Sequence, residues 1–157
     1  LHGDPVILKY AREQVDHIEI LKEKGCYHVG NISFETSKQL KHGVETYGLN
    51  IKGKNSTISL ITDTDYFPDL ASFFTGDILI INVVMLEDRS TIEHLCLNEA
   101  ELIIKENKPK LAILTHFGMG LVKAITGEIA EALTKKLCVQ VLAASDGMQV
   151  DIDQYTT

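Results

Sequence analysis

Two almost unbroken apolar runs, at residues 77–84 and 110–115, constrain the fold of this chain more than any other feature. Continuous runs of this length are typical of β-strands covered on both faces, because successive side chains of a strand point to opposite sides. Residues 98–106 carry the end signals of a helix, residues 121–137 have the apolar spacing of an amphipathic helix, and residues 139–143 predict another strand. The order β-α-β-α-β predicts an α/β layered fold.

The first half of the chain contains a different strand pattern. Residues 45–51 and 57–62 alternate polar and apolar side chains around a polar tip at 52–56, which predicts a β-hairpin. Residues 26–34 predict one extended strand, and residues 12–21 are compatible with a helix. A hairpin followed by β-α-β units indicates a mixed sheet with flanking helices.

The helix at 98–106 has start and stop signals of its own. Asn98 predicts the N-cap, with Glu101 three residues later as in a capping box. Leu97 and Leu102 hold the positions of a hydrophobic staple. Pro109 predicts that the helix has ended before it. These signals place one complete helix between the two apolar strands.

The composition is that of an ordinary globular domain. The chain has 157 residues, of which 45% are apolar and 24% are charged, and this length fits one domain. The net charge of −7 makes a broad basic surface unexpected, so a general nucleic-acid coat protein is disfavoured. A polyanionic substrate stays compatible with the sequence, because bound metal ions invert the local field of an acidic site.

Cysteine usage and hydropathy indicate a reducing compartment. Cys26, Cys96 and Cys138 are far apart and odd in number, so we expect no disulfide framework. No stretch is apolar enough to cross a bilayer and no signal peptide is visible, so we expect a cytoplasmic protein with no membrane partner. The chain begins at Leu1 and not at Met, so we expect missing upstream residues or a processed chain.

Three side chains with metal-binding groups lie where predicted strands meet loops. His42 precedes the first hairpin strand, Asp63 follows the second, and His116 follows the apolar run at 110–115. Neutral imidazole nitrogen and carboxylate oxygen suit zinc and its neighbours, so these residues predict a divalent metal site and a metal-dependent hydrolase. Each residue also has a simpler interpretation: a solvated loop histidine at His42, turn chemistry at Asp63 and a hydrogen-bonded residue at His116.

The order of these elements resembles the metallo-β-lactamase fold, an αββα sandwich of two similar halves with a metal site at one edge. The resemblance extends over roughly residues 30–151 and corresponds to the second half of such a domain. His42, before the strand that begins Thr46-Tyr47-Gly48, is similar to the histidine of the family's third motif. Asp63, in Thr62-Asp63-Thr64, is similar to the family's bridging aspartate.

Two further histidines extend the resemblance. His116, in Leu114-Thr115-His116-Phe117-Gly118, is similar to the last histidine ligand of the family. His94, in His94-Leu95-Cys96-Leu97-Asn98-Glu99-Ala100, resembles a histidine that branches related to ribonuclease Z place near the scissile phosphate. The resemblance therefore implies that His42, Asp63 and His116 bind metal and that His94 is catalytic.

The chain departs from the family at one motif. The signature His-x-His-x-Asp-His belongs to the first half of the domain and is absent from this sequence. Two metal ions need about seven ligands between them, and this chain offers three. The resemblance thus implies a single domain over residues 1–157 that is incomplete at its N-terminus. A bare apolar face would favour association, so we expect a homo-oligomer or a missing N-terminal half.

The resemblance also implies a reaction class. We expect two divalent metal ions, with zinc first and iron, manganese or nickel as alternatives. Metal-activated water would then hydrolyse a substrate, most compatibly a phosphodiester in a small molecule or a nucleic acid, as in a nuclease or phosphodiesterase. His94 would protonate the leaving group or bind the substrate oxyanion. Two alternatives stay open: a non-catalytic docking or assembly module of the same fold, and a thioester or ester hydrolase.

Overall fold

A computed structural model describes residue 9 and residues 12–88, 91–124 and 126–155 of the chain. The sequence also predicts a short strand over residues 6–8, which lies outside the described residues. None of the helices that the structure describes has the length and apolar character that a membrane crossing requires.

The centre of the fold is one sheet of seven strands that lie side by side in chain order. The strands are β1 (Cys26–Val29), β2 (Ile32–Thr36), β3 (Leu49–Lys52), β4 (Thr57–Ile61), β5 (Ile78–Asn82), β6 (Leu111–Thr115) and β7 (Gln140–Ala143). Strands β1 to β4 are antiparallel neighbours, whereas β4 to β7 run parallel. The predicted α/β fold with a mixed sheet is therefore confirmed.

Helices connect the parallel strands and cover one face of the sheet. They are α1 (Leu97–Asn107), α2 (Met119–Lys123) and α3 (Thr126–Leu137), with 3-10 turns at Ala71–Phe73 and Asp153–Tyr155. On the covered face, Ile81 and Leu114 are neighbours in the register, and both are buried with Ile103 and Ile104 of α1. Burial of this face supplies the main apolar contribution to stability.

The opposite face of the sheet is apolar but only partly covered. Leu60, Ile80, Ile113 and Leu142 form one continuous row across four strands, and all four side chains are half-buried. We call the side of the sheet that carries this row the open face. Its composition suits contact with another apolar layer, because rows of branched side chains on a sheet pack against a second sheet or helix layer.

The predicted single strand at 26–34 is wrong, because the chain turns back on itself inside it. Strands β1 and β2 pair as a hairpin in which Val29 lies opposite Ile32. Gly30 has a φ of +58° at the turn, a conformation that a side chain disfavours. Gly followed by Asn is one of the two-residue turns that reverse a strand with the right twist.

Two predicted helices also differ from the structure. Residues 13–22 form turns and irregular backbone, and Val15 and Ile20 are exposed. A helix here would have no surface on which to pack its apolar face, and helices gain most of their stability from such packing. The predicted helix at 121–137 is divided, because α2 has its C-cap at Ala124 and α3 begins at Thr126. The four-residue apolar spacing continues through both helices and conceals the division.

The start of α1 lies two residues earlier than predicted, at an unusual cap. Cys96 is the N-cap, with extended backbone, and Asn98 is already helical. The Glu99 carboxylate accepts a hydrogen bond of 2.8 Å from the Cys96 N–H, so the N3 half of a capping box is present. The staple pair is also wrong, since Leu102 is 51% exposed, while Leu95, directly before the cap, is buried.

A candidate metal centre

The candidate site lies at one edge of the sheet, where the parallel strands end. Asp63 follows β4, Asn82 ends β5 and His116 follows β6, and the carboxyl ends of parallel strands meet at one edge. The connection from β2 to β3, which carries His42, lies at the same edge because β2 runs parallel to β4 through two antiparallel pairings. The topology thus collects side chains that are distant in sequence.

One carboxylate oxygen is the centre of the cluster. Asp63 Oδ1 lies 3.4 Å from His116 Nε2 and 3.7 Å from His94 Nδ1. It accepts a hydrogen bond of 2.9 Å from the Asn82 side-chain amide. The ring of His42 stands edge-on to the ring of His94, with 5.2 Å between centroids. The four residues that the sequence singles out therefore meet in space.

The tightest group of possible ligands includes His94. One ligand atom from each of His42, Asp63 and His94 lies within 4.8 Å of the other two. His116 reaches Asp63 but is not part of that group, and its side chain is 54% exposed, against 23% for His94. The division of roles between His94 and His116 is a prediction that the positions of the side chains do not test.

A buried nitrogen provides the test of whether this group suits a cation. His94 Nδ1 is buried and makes no hydrogen bond to the described residues, since 3.7 Å to Asp63 is too long for one. An unpaired buried polar atom of this kind costs about 1–3 kcal/mol. Two imidazoles and a carboxylate that converge at this spacing are a donor set that suits a divalent metal ion, and the unpaired His94 nitrogen stays available to a molecule bound beside that ion.

The turn that presents His116 is tightly packed. His116 has a φ of +61°, a region that non-glycine residues rarely occupy and that costs of order 1 kcal/mol. On one side Thr115 accepts a hydrogen bond of 2.9 Å from the Val83 N–H, and on the other Gly118 donates one of 3.0 Å to the Val84 carbonyl. A Cβ at Gly118 would lie 2.5 Å from that carbonyl oxygen, so only glycine fits. These contacts hold the backbone of His116 in its uncommon conformation.

Sequence reasoning missed Asn82. Its amide fixes one oxygen of Asp63, and hydrogen bonds of this kind orient metal-ligating groups. A signal was present, because Asn82 is the polar interruption in the apolar run at 77–84 and stands at the carboxyl end of its strand. A buried strand has little reason to end on an amide unless the side chain has a partner.

Sequence comparison assigns no relatives to this chain. No family model matches it, and no curated protein matches its sequence.

Comparison with solved structures identifies the fold. The metallo-β-lactamase fold protein YhfI from Bacillus subtilis superposes with a TM-score of 0.76 at 18% identity, covering 92% of this chain and 61% of that protein. A diphosphatase of the PhnP family gives 0.66 at 21% identity, covering 93% and 53%. Human tRNase Z, short form, gives 0.58 at 18% identity, covering 80% and 45%. The chain therefore has the metallo-β-lactamase fold, and it spans less than two thirds of each of these proteins.

Proposed function

We propose that this chain is part of a metal-dependent hydrolase that acts on phosphodiesters. The observation that carries the proposal is the convergence of three imidazoles on the Asp63 carboxylate, with the unpaired His94 nitrogen among them. A bound divalent metal ion would supply a hydrolytic water at neutral pH and neutralise charge on the phosphoryl oxygens. Zinc is the first candidate, with iron, manganese and nickel as alternatives.

The residues of this chain have separate tasks in the proposal. His42, Asp63 and His116 would hold the metal, and the Asp63 carboxylate offers two oxygens for this task. Asn82 keeps the Asp63 carboxylate in one orientation through its amide. His94, which lies deeper than His116, holds a proton for the leaving oxygen, because imidazole gives and takes protons near neutral pH.

The phosphodiester preference is supported by analogy of fold. A diphosphatase and a tRNase Z are among the solved structures with this fold, and their names denote action on a diphosphate and on tRNA. The net charge of −7 favours a substrate that the metal ions themselves attract over one that needs a broad basic surface. The rest of the ligand set would come from a missing N-terminal half or from a second chain.

Metal content and turnover of three variants test the assignment. The protein at its natural length is loaded with zinc and assayed on bis-p-nitrophenyl phosphate, with p-nitrophenyl acetate and a thioester as comparison substrates. We expect His116→Ala to lose zinc, and His94→Ala to keep zinc while its turnover falls about 10²–10⁴-fold. His17→Ala is the control, because the His17 side chain is 82% exposed and pairs with Glu19, not with the residues of the cluster.

The results separate the competing functions. Loss of zinc from His94→Ala would assign His94 as a ligand and remove its proposed role as proton donor. A larger zinc-dependent enhancement over the uncatalysed rate for the acetate or the thioester than for the phosphodiester would favour the ester or thioester alternative. A natural-length protein that neither binds metal nor turns over any substrate would refute the hydrolase hypothesis and favour the non-catalytic docking module.

A further inference from the structure

Two irregular segments carry His42 and Asp63 to the site. His42 lies in the connection between β2 and β3, and Asp63 lies directly after β4, and neither residue belongs to a helix or a strand. A metal site works only when its side chains are held within about 0.5 Å of the productive geometry. Contacts between the two segments must therefore fix the distance between these two residues.

Three contacts join the segments at the residues next to His42 and Asp63. The Asp65 N–H donates to the Lys41 carbonyl at 2.7 Å, and the Lys41 N–H donates to the Thr64 hydroxyl at 3.1 Å. The Lys41 ammonium also pairs with the Asp65 carboxylate. Lys41 directly precedes His42, and Thr64 directly follows Asp63, so each contact is one or two residues away from a proposed ligand.

The Thr64 hydroxyl is the buried member of this set. Thr64 is fully buried, and its hydroxyl both accepts from Lys41 and donates to the Asp65 carbonyl at 2.8 Å. The ion pair between Lys41 and Asp65 raises the pKa of Lys41, but the Lys41 side chain is 57% exposed. Exposed pairs contribute little, because water screens them, so the buried hydroxyl is the stronger constraint.

We infer that Thr64 is a positioning residue of the metal centre, whose hydroxyl holds the His42 segment against the Asp63 segment. This inference rests on the proposed function, since it concerns the same site. The hydroxyl acts through the backbone of Lys41, which directly precedes His42. Its removal leaves the Lys41 N–H without its partner and weakens the contact that holds the His42 segment beside His94.

Three variants at natural length, measured with zinc alone as the probe, test the inference. Thr64→Val keeps the shape of the side chain and removes the hydroxyl, so we expect zinc to bind about 10–100-fold more weakly, as for other residues that orient ligands. Thr64→Ser keeps a hydroxyl and should restore affinity to within a few-fold. Lys41→Ala removes the exposed ion pair but neither backbone contact, and it should bind zinc as the wild type does.

Hydrogen exchange of the metal-free protein supplies a second readout that does not depend on zinc. The Lys41 amide should be protected in the wild type and in Thr64→Ser, and should exchange faster in Thr64→Val if that variant folds. A wild-type protein that binds no zinc but protects the Lys41 amide would refute the proposed function, while the contact between Thr64 and the His42 segment would stand. An unprotected Lys41 amide in the wild type, or wild-type zinc affinity in folded Thr64→Val, would overturn the inference.

Discussion

A buried polar network that links two strands of the sheet to the following loop gives the sharpest test of the structure. Ser59 and Asn50 are buried neighbours on adjacent strands, and the Ser59 hydroxyl donates to the Asn50 side-chain oxygen at 2.6 Å. The same hydroxyl accepts from the Gly76 N–H at 2.8 Å, and the Asn50 amide donates to the Phe73 carbonyl at 2.6 Å. The network therefore ties the antiparallel strands to the segment that leads into β5.

Substitution of Ser59 by Ala removes one hydroxyl and leaves two polar groups without a hydrogen-bond partner. The Asn50 oxygen and the Gly76 N–H both lose their partner inside the protein. An unsatisfied buried group costs about 1–3 kcal/mol, so with partial relaxation we expect Ser59→Ala to lower the free energy of unfolding by about 2–4 kcal/mol. For a domain of this size that corresponds to a melting temperature lower by about 5–12 °C.

Urea unfolding followed by far-UV circular dichroism measures this loss, because the chain has no tryptophan to report by fluorescence. Ser72→Ala is the matched control. Its hydroxyl donates to the Asp69 carbonyl at 2.7 Å but is exposed, so water replaces the bond and we expect a change below about 0.5 kcal/mol. Equal losses in the two variants would show that the Ser59 network is not formed.

Three further predictions follow from the site, the cysteines and the sheet. Asn82→Leu should weaken zinc binding by about 10-fold or more in a chelator competition, because Asp63 loses its orienting hydrogen bond, and unchanged affinity would count against that role. Cys26 and Cys138 are exposed and should react first with a thiol reagent, whereas burial raises the pKa of Cys96, which should react only on unfolding; equal rates would contradict this. The 157-residue chain by itself should associate through its open face, and a monodisperse monomer in sedimentation would oppose that.

The parts of the fold that the sequence predicts are those with one dominant pattern. Strands β5 and β6 are predictable because a continuous apolar run in so short a segment, bounded by polar residues, fits a buried strand better than a helix. The β1–β2 hairpin escapes prediction because both of its strands alternate and the Gly30 turn adds only two residues between them. The Cys96 cap escapes it because cysteine is rarely an N-cap, while Asn98 has the usual chemistry.

The residues of the site can be predicted from the sequence, but only part of their arrangement can. His42, Asp63 and His116 can be placed at one edge, because strand direction alone brings those loops together. His94 lies in a long irregular connection after β5. No periodic sequence pattern specifies the path of such a connection, so the short distance from His94 to Asp63 could not be predicted. The sequence around Thr64 indicates only a turn, since the burial of its hydroxyl depends on a segment far away in the chain.

The sequential order of the strands has a consequence for how the protein is made. Each strand pairs with the one synthesised just before it, so a chain that emerges from the ribosome can add every new strand to an existing edge without inserting it between older ones. His42 and Asp63 emerge early in this order, and His116 arrives only after β6 has been added. The cluster can therefore be complete only after β6 has joined the sheet, and metal binding by all of these side chains would follow that step.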